Sequence, residues 1–411
     1  MNRITKTTTL GITLTALLIL AFCPKILGQE NETARQKEAL AAKFEAIRTQ
    51  FAPDKRLELF RLEFDETVTP PKARLETTSA QARDAARKLQ AEYKEWQIEV
   101  ALYPEENAKL EGKWRAIVIH STIQIQSGPD YSTEWSTQSL MGTPLRVLDT
   151  TPSYWLLVQN ADGYIGYATR GSLLRMTKAE YDAWLDAPKL IWIKNVGEIL
   201  AEPRADSATV SDLVANDVMI WKEREEREGY YHVATPDGRL GWIEASGAME
   251  WTQWLATREL TAENIIASAR RMLGRPYVWG GTSAKGVDCS GLVNFAFYTN
   301  GYNILRDVSQ IQREGLEVDM SRGWRGYEPG DLLLFGAKRE NGTIGWRHIA
   351  IYIGDGRFIH SATWVYEASL DPDSPLYDER NAKSLQKVIR MIGAPETEHF
   401  HPISKNKAYT K

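Results

Sequence analysis

The residue best suited to chemistry in this 411-residue chain is Cys289, one of two cysteines; the other is Cys23. It lies in the stretch VDCSGLVNFAF, where Asp288 is a typical helix N-cap and the apolar residues that follow have helical spacing. The sequence therefore predicts Cys289 at the start of a helix. Backbone N–H groups and the helix dipole favour a thiolate there and can also stabilise an oxyanion. A buried cysteine on a core face is the alternative interpretation.

A thiolate nucleophile needs a base that shares its proton. Of the six histidines, His348 and His360 lie on two predicted strands of one hairpin, HIAIYIG and RFIHSA. A three-residue loop, 354–356, would place Ile353 opposite Arg357 and both histidines on one face of the sheet. A two-residue turn would place them on opposite faces. The catalytic interpretation therefore requires the odd-length loop.

Two further segments must position these residues. TAENIIASARRML (261–273) predicts a helix with Thr261 as its N-cap, and EPGDLLLF (328–335) predicts a strand. The C-terminal part of the chain, 258–411, thus combines helices with an antiparallel sheet.

An internal repeat precedes that part. YWLLVQNADGYIGYA (154–168) is echoed 75 residues later by YYHVATPDGRLGWI (230–243), with Asp-Gly at the same place in each copy. Asp-Gly between alternating strands is a strong hairpin signal. The repeat predicts two small β-barrels, at 113–178 and 187–250.

The region 29–112 predicts an α+β cap or spacer. KRLELFRLEFDE (55–66) alternates like a strand, residues 77–96 have helical signals, and QIEVALYP (97–104) again indicates a strand. No function is readable from this region.

The N-terminus has the pattern of a secretory signal peptide, 1–28: basic residues, an apolar run at 9–22, then charged residues. We therefore expect export to the periplasm or the medium. Cys23 offers a lipoprotein alternative, disfavoured because Phe22 stands where a small residue is expected. The net charge of −4 gives nucleic-acid binding no electrostatic support. We predict no stable membrane span and no metal or organic cofactor, and the oligomeric state is not readable.

The combination RPYVWGG, VDCSGLV, PGDLLLF and RHIAIYIGDGRFIHSA, over about 265–392, resembles the NlpC/P60 cysteine peptidases, which have a circularly permuted papain-like fold. The repeat before it is similar to bacterial SH3-like domains, as in the dipeptidyl-type members that cleave between γ-D-glutamate and a diamino acid. The resemblance implies an α+β fold with Cys289 as nucleophile, His348 as general base and acid, and His360 as its orienting partner. It also implies that Tyr277 helps to bind the oxyanion, with plain packing as the alternative. Asp288 and Ser290 would shape the substrate pocket.

Members of this type bind the free amine of an N-terminal L-alanine, partly through the first SH3-like domain. By position in the repeat, Glu134 and Tyr164 are candidates for that role, against a solvated glutamate and an ordinary hairpin tyrosine. Ser309, in RDVSQIQ, is a further candidate for lining the pocket. Arg347, directly before His348, departs from the family pattern and is expected to change one wall of the site.

The expected function is hydrolysis of cell-wall peptides of the form L-Ala-γ-D-Glu-diamino acid. An endopeptidase acting on intact peptidoglycan stems, a non-catalytic peptidoglycan-binding protein, and an acyl- or amidotransferase on the same fold remain as rivals. The sequence does not distinguish diaminopimelate from lysine as the diamino acid.

Overall fold

The computed structural model describes residues 13–410, with side chains described from residue 32 onward. The chain divides into two compact units, 1–102 and 103–411. The predicted signal peptide, including Cys23, falls outside the residues whose side chains are described. Within the described residues, no helix has both the length and the apolar character needed to cross a bilayer.

The first unit packs two helices against a three-stranded sheet of order β1-β2-β3. Its elements are α1 (Thr13–Phe51), β1 (Phe60–Asp65), β2 (Lys72–Thr77), α2 (Ala80–Glu92) and β3 (Gln97–Leu102). The predicted helix at 77–96 is confirmed as α2, whose N-cap Ser79 accepts a hydrogen bond from the Ala82 N–H. The predicted strand at 55–66 is shorter in the structure, because residues 55–57 form a turn.

The second unit begins with a seven-stranded antiparallel sheet of order β10-β4-β7-β8-β9-β5-β6, which we call the first β domain. Its strands are β4 (Arg115–Val118), β5 (Thr122–Gln126), β6 (Trp135–Leu140), β7 (Pro144–Thr150), β8 (Trp155–Asn160), β9 (Ile165–Thr169) and β10 (Leu173–Met176), followed by α3 (Lys178–Asp186). Alternate residues of these strands, among them Ile123, Ile125, Val147 and Val158, fill its core.

The second β domain repeats this sheet. Its strands are β11 (Lys189–Trp192), β12 (Val196–Leu200), β13 (Thr209–Val214), β14 (Val218–Arg227), β15 (Tyr230–Ala234), β16 (Leu240–Glu244) and β17 (Ala248–Glu250). Their order, β17-β11-β14-β15-β16-β12-β13, is the order of the first β domain with each strand number raised by seven. The internal repeat read from the sequence is therefore confirmed as a repeat of structure.

The C-terminal domain places helices around a six-stranded antiparallel sheet of order β21-β26-β22-β23-β24-β25. Its helices are α4 (Trp251–Thr257), α5 (Ala262–Arg270), α6 (Cys289–Thr299), α7 (Val308–Ile311) and α8 (Glu379–Ser384). Its strands are β18 (Thr282–Ser283), β19 (Gly286–Val287), β20 (Tyr302–Asn303), β21 (Leu316–Glu317), β22 (Leu332–Lys338), β23 (Ile344–Gly354), β24 (Arg357–Ser361), β25 (Val365–Ser369), β26 (Leu385–Arg390) and β27 (His401–Pro402). Helix α6 packs against α5 and β23.

The loop between β23 and β24 differs from the prediction. Gly354, not Ile353, pairs with Arg357, so the connection is the two-residue turn Asp355-Gly356. Both turn residues have positive φ, 52° and 74°. That backbone matches the right-handed twist of a hairpin, and Asp-Gly is a favoured pair for it. The predicted three-residue loop is therefore wrong.

A β-bulge restores the register that the loop was expected to supply. The pairing shifts between Tyr352 and Gly354, so Tyr352 pairs with Phe358. The bulge inserts one unpaired residue, which reverses the faces of every residue beyond it. His348 and His360 consequently share a face of the sheet despite the two-residue turn.

The polar tail after residue 393 is an ordered part of the second unit. Strand β27 pairs with β20, Asn406 Nδ2 donates to the Ala161 carbonyl at 2.8 Å, and the hydroxyls of Tyr298 and Tyr409 lie 3.0 Å apart. The tail therefore ties the C-terminal domain to the first β domain.

Candidate active site

Cys289 is the first residue of α6, as predicted. Asp288 is its N-cap and accepts hydrogen bonds from the N–H groups of Gly291 at 2.6 Å and Gly280 at 2.9 Å. The approach between the 277–281 loop and the helix start is very close, since a Cβ on Gly291 would lie 1.8 Å from the Gly281 carbonyl oxygen. Glycine at 291 is therefore a requirement for seating this loop beside the cysteine.

The thiol of Cys289 is buried, with 8% of the residue exposed. Burial raises the pKa of Cys289 to about 12, and the Asp288 carboxylate acts in the same direction. The backbone N–H groups of Ile349 and Ser290 and the guanidinium of Arg306 act in the opposite direction. At neutral pH the group is therefore a thiol, and a base has to remove its proton when it reacts.

The two predicted histidines meet. His348 Nε2 lies 2.8 Å from His360 Nδ1, and both rings are buried. Burial lowers the pKa of His348 to about 3 and that of His360 to about 4, so both imidazoles are neutral at physiological pH. Because Nε2 of His348 is hydrogen-bonded to His360, the other ring nitrogen of His348, Nδ1, is the one that could accept a proton.

That role determines the tautomers. If His348 is to accept a proton at Nδ1, its Nε2–H must donate to His360 Nδ1, and His360 then carries its own proton on Nε2. Among the described residues, His360 Nε2 is buried without a hydrogen-bond partner. The ring of Tyr366 lies 4.4 Å from that of His360 at 69°, an edge-to-face contact.

A buried network holds the residues that flank the nucleophile. Arg306 lies 2.5 Å from Asp288 Oδ2 through Nη2 and 2.7 Å from Ser290 Oγ through Nη1, and its Nε donates to Thr137 Oγ1 of the first β domain at 3.0 Å. Although burial alone would lower it, the Asp288 carboxylate raises the pKa of Arg306 above its usual value. Asp288 and Ser290 thus face Arg306, and the pairing compensates its buried charge.

Next to this network the first β domain reaches the C-terminal domain. The Tyr164 hydroxyl donates to Asp307 Oδ2 at 3.3 Å. Asp307 is the N-cap of α7 and forms a capping box with Gln310. Tyr164 is 7% exposed, and its own N–H donates to the half-buried carboxylate of Asp162 at 2.9 Å. A half-buried carboxylate and a phenol hydroxyl therefore converge beside Arg306.

The remaining predicted residues lie around these groups. Tyr277 is half-buried. Burial first, and then the neighbouring Cys289 sulfur and Asp288 carboxylate, raise its pKa above the usual value. Its phenol therefore stays a hydrogen-bond donor close to the thiol. Ser309 is half-buried on α7, two residues after Asp307. Glu134 is exposed, next to Trp135, whose carbonyl approaches Gly280.

The sequence reading missed Arg306 and Asp307. Both stand in ILRDVSQ, three and two residues before Ser309. Charged residues before a short helix usually cap it and remain exposed to solvent. Asp307 would have been selected only by looking for a carboxylate that could pair with a substrate ammonium group.

Comparison with known proteins identifies two of the domains. Residues 274–377 match the NlpC/P60 family model, and residues 126–173 match the bacterial dipeptidyl-peptidase SH3 domain. The chain carries an NlpC/P60 domain. That domain, of a cysteine peptidase family, spans α6, β23 and β24, which hold Cys289 and the two histidines.

Two curated relatives have informative names. The chain is 26% identical to dipeptidyl-peptidase 6 of Lysinibacillus sphaericus over 66% of its own length and 98% of that protein. It is 31% identical to the γ-D-glutamyl-L-lysine dipeptidyl-peptidase of Bacillus cereus over 37% of its own length, and spans less than half, 44%, of that protein. An NlpC/P60 crystal structure from Bacillus cereus shares the fold, with a TM-score of 0.56 at 22% identity, over 67% of this chain and 99% of that one.

Proposed function

We propose that this protein is a cysteine peptidase that cleaves the bond between γ-D-glutamate and the diamino acid in short cell-wall peptides with a free N-terminal L-alanine. The substrate class is inferred from the hydrogen bond between Tyr164 and Asp307, which lies beside the buried Arg306 network around the nucleophile. An ammonium group entering a closed site needs a carboxylate partner, and Asp307 offers one. The name of the Bacillus cereus relative, γ-D-glutamyl-L-lysine dipeptidyl-peptidase, supports cleavage after γ-D-glutamate.

The proposed reaction depends on the His348–His360 pair, in which Nε2 of His348 lies 2.8 Å from Nδ1 of His360. His348 accepts the Cys289 proton at Nδ1, and the thiolate attacks the γ-carbonyl carbon of the glutamate. His360 orients the ring and stabilises the imidazolium that forms. His348 then protonates the leaving amine as the C–N bond breaks, which leaves a thioester on Cys289. Water hydrolyses the thioester and restores the thiol.

The oxyanion of each tetrahedral intermediate is held by two donors, the backbone N–H of Cys289 and the hydroxyl of Tyr277. Because burial and the neighbouring Cys289 and Asp288 groups raise the pKa of Tyr277, its hydroxyl keeps its proton and remains a donor while charge develops. Losing one such donor typically lowers turnover by about 100-fold to 1000-fold.

The roles of the other predicted residues follow in this scheme. Asp288 and Ser290 shape the pocket indirectly, by holding Arg306, while Ser309 lines it from α7. Glu134 lies at the exposed rim and would assist amine binding only from there. We further propose that residues 1–28 direct export, which would bring the enzyme to its substrate.

The test is mass spectrometry of L-Ala-γ-D-Glu-diaminopimelate after incubation with the purified mature protein, with the N-acetylated peptide and Cys289→Ala in parallel. We expect free diaminopimelate from the wild type only, and only from the free-amine peptide. Equal cleavage of the blocked peptide would remove the amine site and favour an endopeptidase on intact stems. No cleavage of either peptide would favour a binding protein or a transferase.

A further inference from the structure

The C-terminal tail, residues 394–410, lies outside the segment that matches the family model, 274–377, and no step of the proposed reaction uses it. Its Asn406 reaches the first β domain, where Nδ2 donates to the Ala161 carbonyl at 2.8 Å. Ala161 belongs to the turn between β8 and β9, three residues before Tyr164. The tail therefore contacts the turn that presents Tyr164 to the proposed amine site.

The side chain of Asn406 is held at both ends. The residue is 7% exposed, Nδ2 donates to Ala161, and Oδ1 accepts a hydrogen bond from the Ala408 N–H at 2.9 Å. A buried amide that loses one of its partners carries a desolvation cost, so these two bonds fix its orientation. Asn406 thus forms a defined link between the tail and the β8–β9 turn.

The same tail also holds the strand that leads to Asp307. Strand β27 pairs with β20, and Asn303 Nδ2 of β20 donates to the His399 carbonyl at 3.1 Å. Asp307 follows Asn303 by four residues, and Tyr164 lies three residues from the carbonyl that Asn406 binds. Each half of the Tyr164–Asp307 pair is therefore only a few residues away from a contact with the tail.

The tail is itself anchored on the C-terminal domain. Ile403 is 1% exposed and packs in one cluster with Trp251 and Trp254 of α4. The hydroxyls of Tyr409 and Tyr298 lie 3.0 Å apart, and the ring centroids of Tyr409 and Trp251 lie 5.7 Å apart. These contacts join the tail to α4 and α6, so Asn406 transmits the position of that domain to the turn.

Packing alone does not fix the position of the β8–β9 turn. A cavity of about 60 Å³ is lined by residues 160–162 of this turn, by residues 302–304 and by Tyr409. Close-packed segments hold one another in place, whereas a void between them leaves room for movement. The bond from Tyr164 to Asp307, at 3.3 Å, is longer than the usual hydrogen bond between two oxygens. The turn therefore needs a further contact to stay in place, and the Asn406 link supplies one.

We propose that Asn406 is a positioning residue for the amine site. By holding the β8–β9 turn to the tail, it sets the separation of Tyr164 and Asp307 that a substrate ammonium group requires. A displacement of about 1 Å can lower the rate by about 100-fold even when it originates far from the reacting atoms. The inference rests on the proposed function and adds to it the element that keeps the amine site in register.

The test is Asn406→Leu, which keeps a similar side-chain volume and removes both hydrogen bonds. On the free-amine peptide we expect KM to rise by roughly 10-fold and kcat to change little, because amine binding is weakened equally in the ground state and the transition state. Alkylation of Cys289 by iodoacetamide should keep its wild-type rate, since Arg306 still binds Thr137 of the first β domain.

A double variant separates positioning from general destabilisation. If Asn406 acts through the Tyr164–Asp307 pair, KM of Asn406→Leu combined with Tyr164→Phe should be no higher than that of the more affected single variant. Tyr409→Phe, which loosens the tail more gently, should raise KM by less than Asn406→Leu. Lys405→Gln is the matched control, because Lys405 is exposed and pairs with Glu396 on the surface of the tail. It should keep the wild-type KM.

Hydrogen exchange gives a readout that does not depend on turnover. Asn406→Leu should speed exchange in the first-domain turn, 160–165, and leave the equivalent second-domain turn, 235–240, at its wild-type rate. Unchanged exchange in the first turn, an unchanged KM, or KM effects that multiply in the double variant would each overturn the inference. Absence of cleavage by the wild type would instead overturn the proposed function, and the exchange result would still decide whether Asn406 holds the turn.

Discussion

The two β domains build the same hairpin and use it differently. In each copy an Asp-Gly turn joins the equivalent strands, and Gly163 and Gly238 have the same φ of 91°. Three residues after each copy's Asp-Gly pair comes Gly166 or Gly241, where a Cβ would lie 2.5 Å from an isoleucine methyl group of the neighbouring strand. The backbone requirements have thus been kept in both copies.

The residue directly after the turn differs. In the first copy it is Tyr164, which donates to Asp307 in the C-terminal domain. In the second copy it is Arg239, which donates to Asp237 of its own turn at 2.9 Å and to the Ile119 carbonyl of the first β domain at 2.8 Å. The residue after the turn thus contacts the proposed substrate site in one copy and another β domain in the other copy.

The largest expected effect concerns the nucleophile, which lies outside both β domains. Cys289→Ala should lower kcat/KM on the free-amine peptide by at least about 1000-fold, because no other group can form the thioester. Calorimetry should show unchanged binding of that peptide, since the first-copy contact is intact. Turnover near the wild-type rate would mean that the nucleophile lies elsewhere.

Asp307→Asn tests the partner of the first-copy hairpin. We expect kcat/KM to fall by about 100-fold on the free-amine peptide, because the ammonium group would lose its counterion while Asn keeps the N-cap. The N-acetylated peptide should be much less affected. Asp237→Asn, at the second-copy turn, is the control and should leave kcat/KM unchanged. A similar loss in both variants would contradict the division of roles.

Acid pH should destabilise the C-terminal domain, which contains the buried histidine pair, more than the β domains. The folded pKa values of His348 and His360, about 3 and 4, lie below the usual 6.5, so only the unfolded chain binds protons there as the pH falls from 6.5. Between pH 6.5 and 5 each histidine should lower the free energy of unfolding by about 2 kcal/mol. Urea unfolding at both pH values should show a smaller loss for His360→Gln than for the wild type.

His120→Gln is the control for that experiment, because His120 is exposed in the first β domain. Its acid destabilisation should equal that of the wild type. If the free energy of unfolding fell equally between pH 6.5 and 5 in His360→Gln and in the wild type, the buried histidine pair would not govern acid stability.

Tyr164→Phe removes one hydroxyl from the first-copy hairpin. The variant should raise KM for the free-amine peptide by roughly 10-fold with a small change in kcat, because a donor to Asp307 is lost while the ring still packs. Steady-state kinetics on the free and N-acetylated peptides would measure it. An unchanged KM would leave Asp307 as the amine partner and reduce Tyr164 to packing.

Arg239→Gln is the second-copy counterpart and should have the smallest effect. We expect an unchanged kcat/KM and a decrease of about 1 kcal/mol in the free energy of unfolding, since two partly exposed contacts are lost. Chemical denaturation and kinetics on the same preparation would show both. A loss of activity without a loss of stability would give the second hairpin a role at the active site.

Much of this site was readable from local patterns. Asp288 before an apolar helical run predicted a cysteine at a helix start, and the repeated Asp-Gly predicted both hairpins, because capping and turn formation depend on residues only a few positions apart. The pairing of His348 with His360 was also predicted, although through the wrong loop. The bulge that produces it is a property of the paired sheet, and no local signal marked it.

The residues that the sequence reading missed are those whose partners are distant along the chain. Arg306 contacts Asp288 and Thr137, 18 and 169 positions away, and Asp307 contacts Tyr164, 143 positions away. Glu134, predicted from its position in the repeat, is exposed. Position within a repeat gives the place of a side chain in its own domain, but not the surface that the domain meets.

By itself, the sequence determined the elements and the reacting groups: the capped cysteine, the two strand histidines and the two copies of one β scaffold. These follow from spacing and turn chemistry, which act over short stretches of chain. Tertiary structure alone decided which tyrosine meets which carboxylate and which arginine is buried against the nucleophile's N-cap. Such contacts arise only when distant segments pack together, and burial then sets their pKa values and the charge that each pocket can accept.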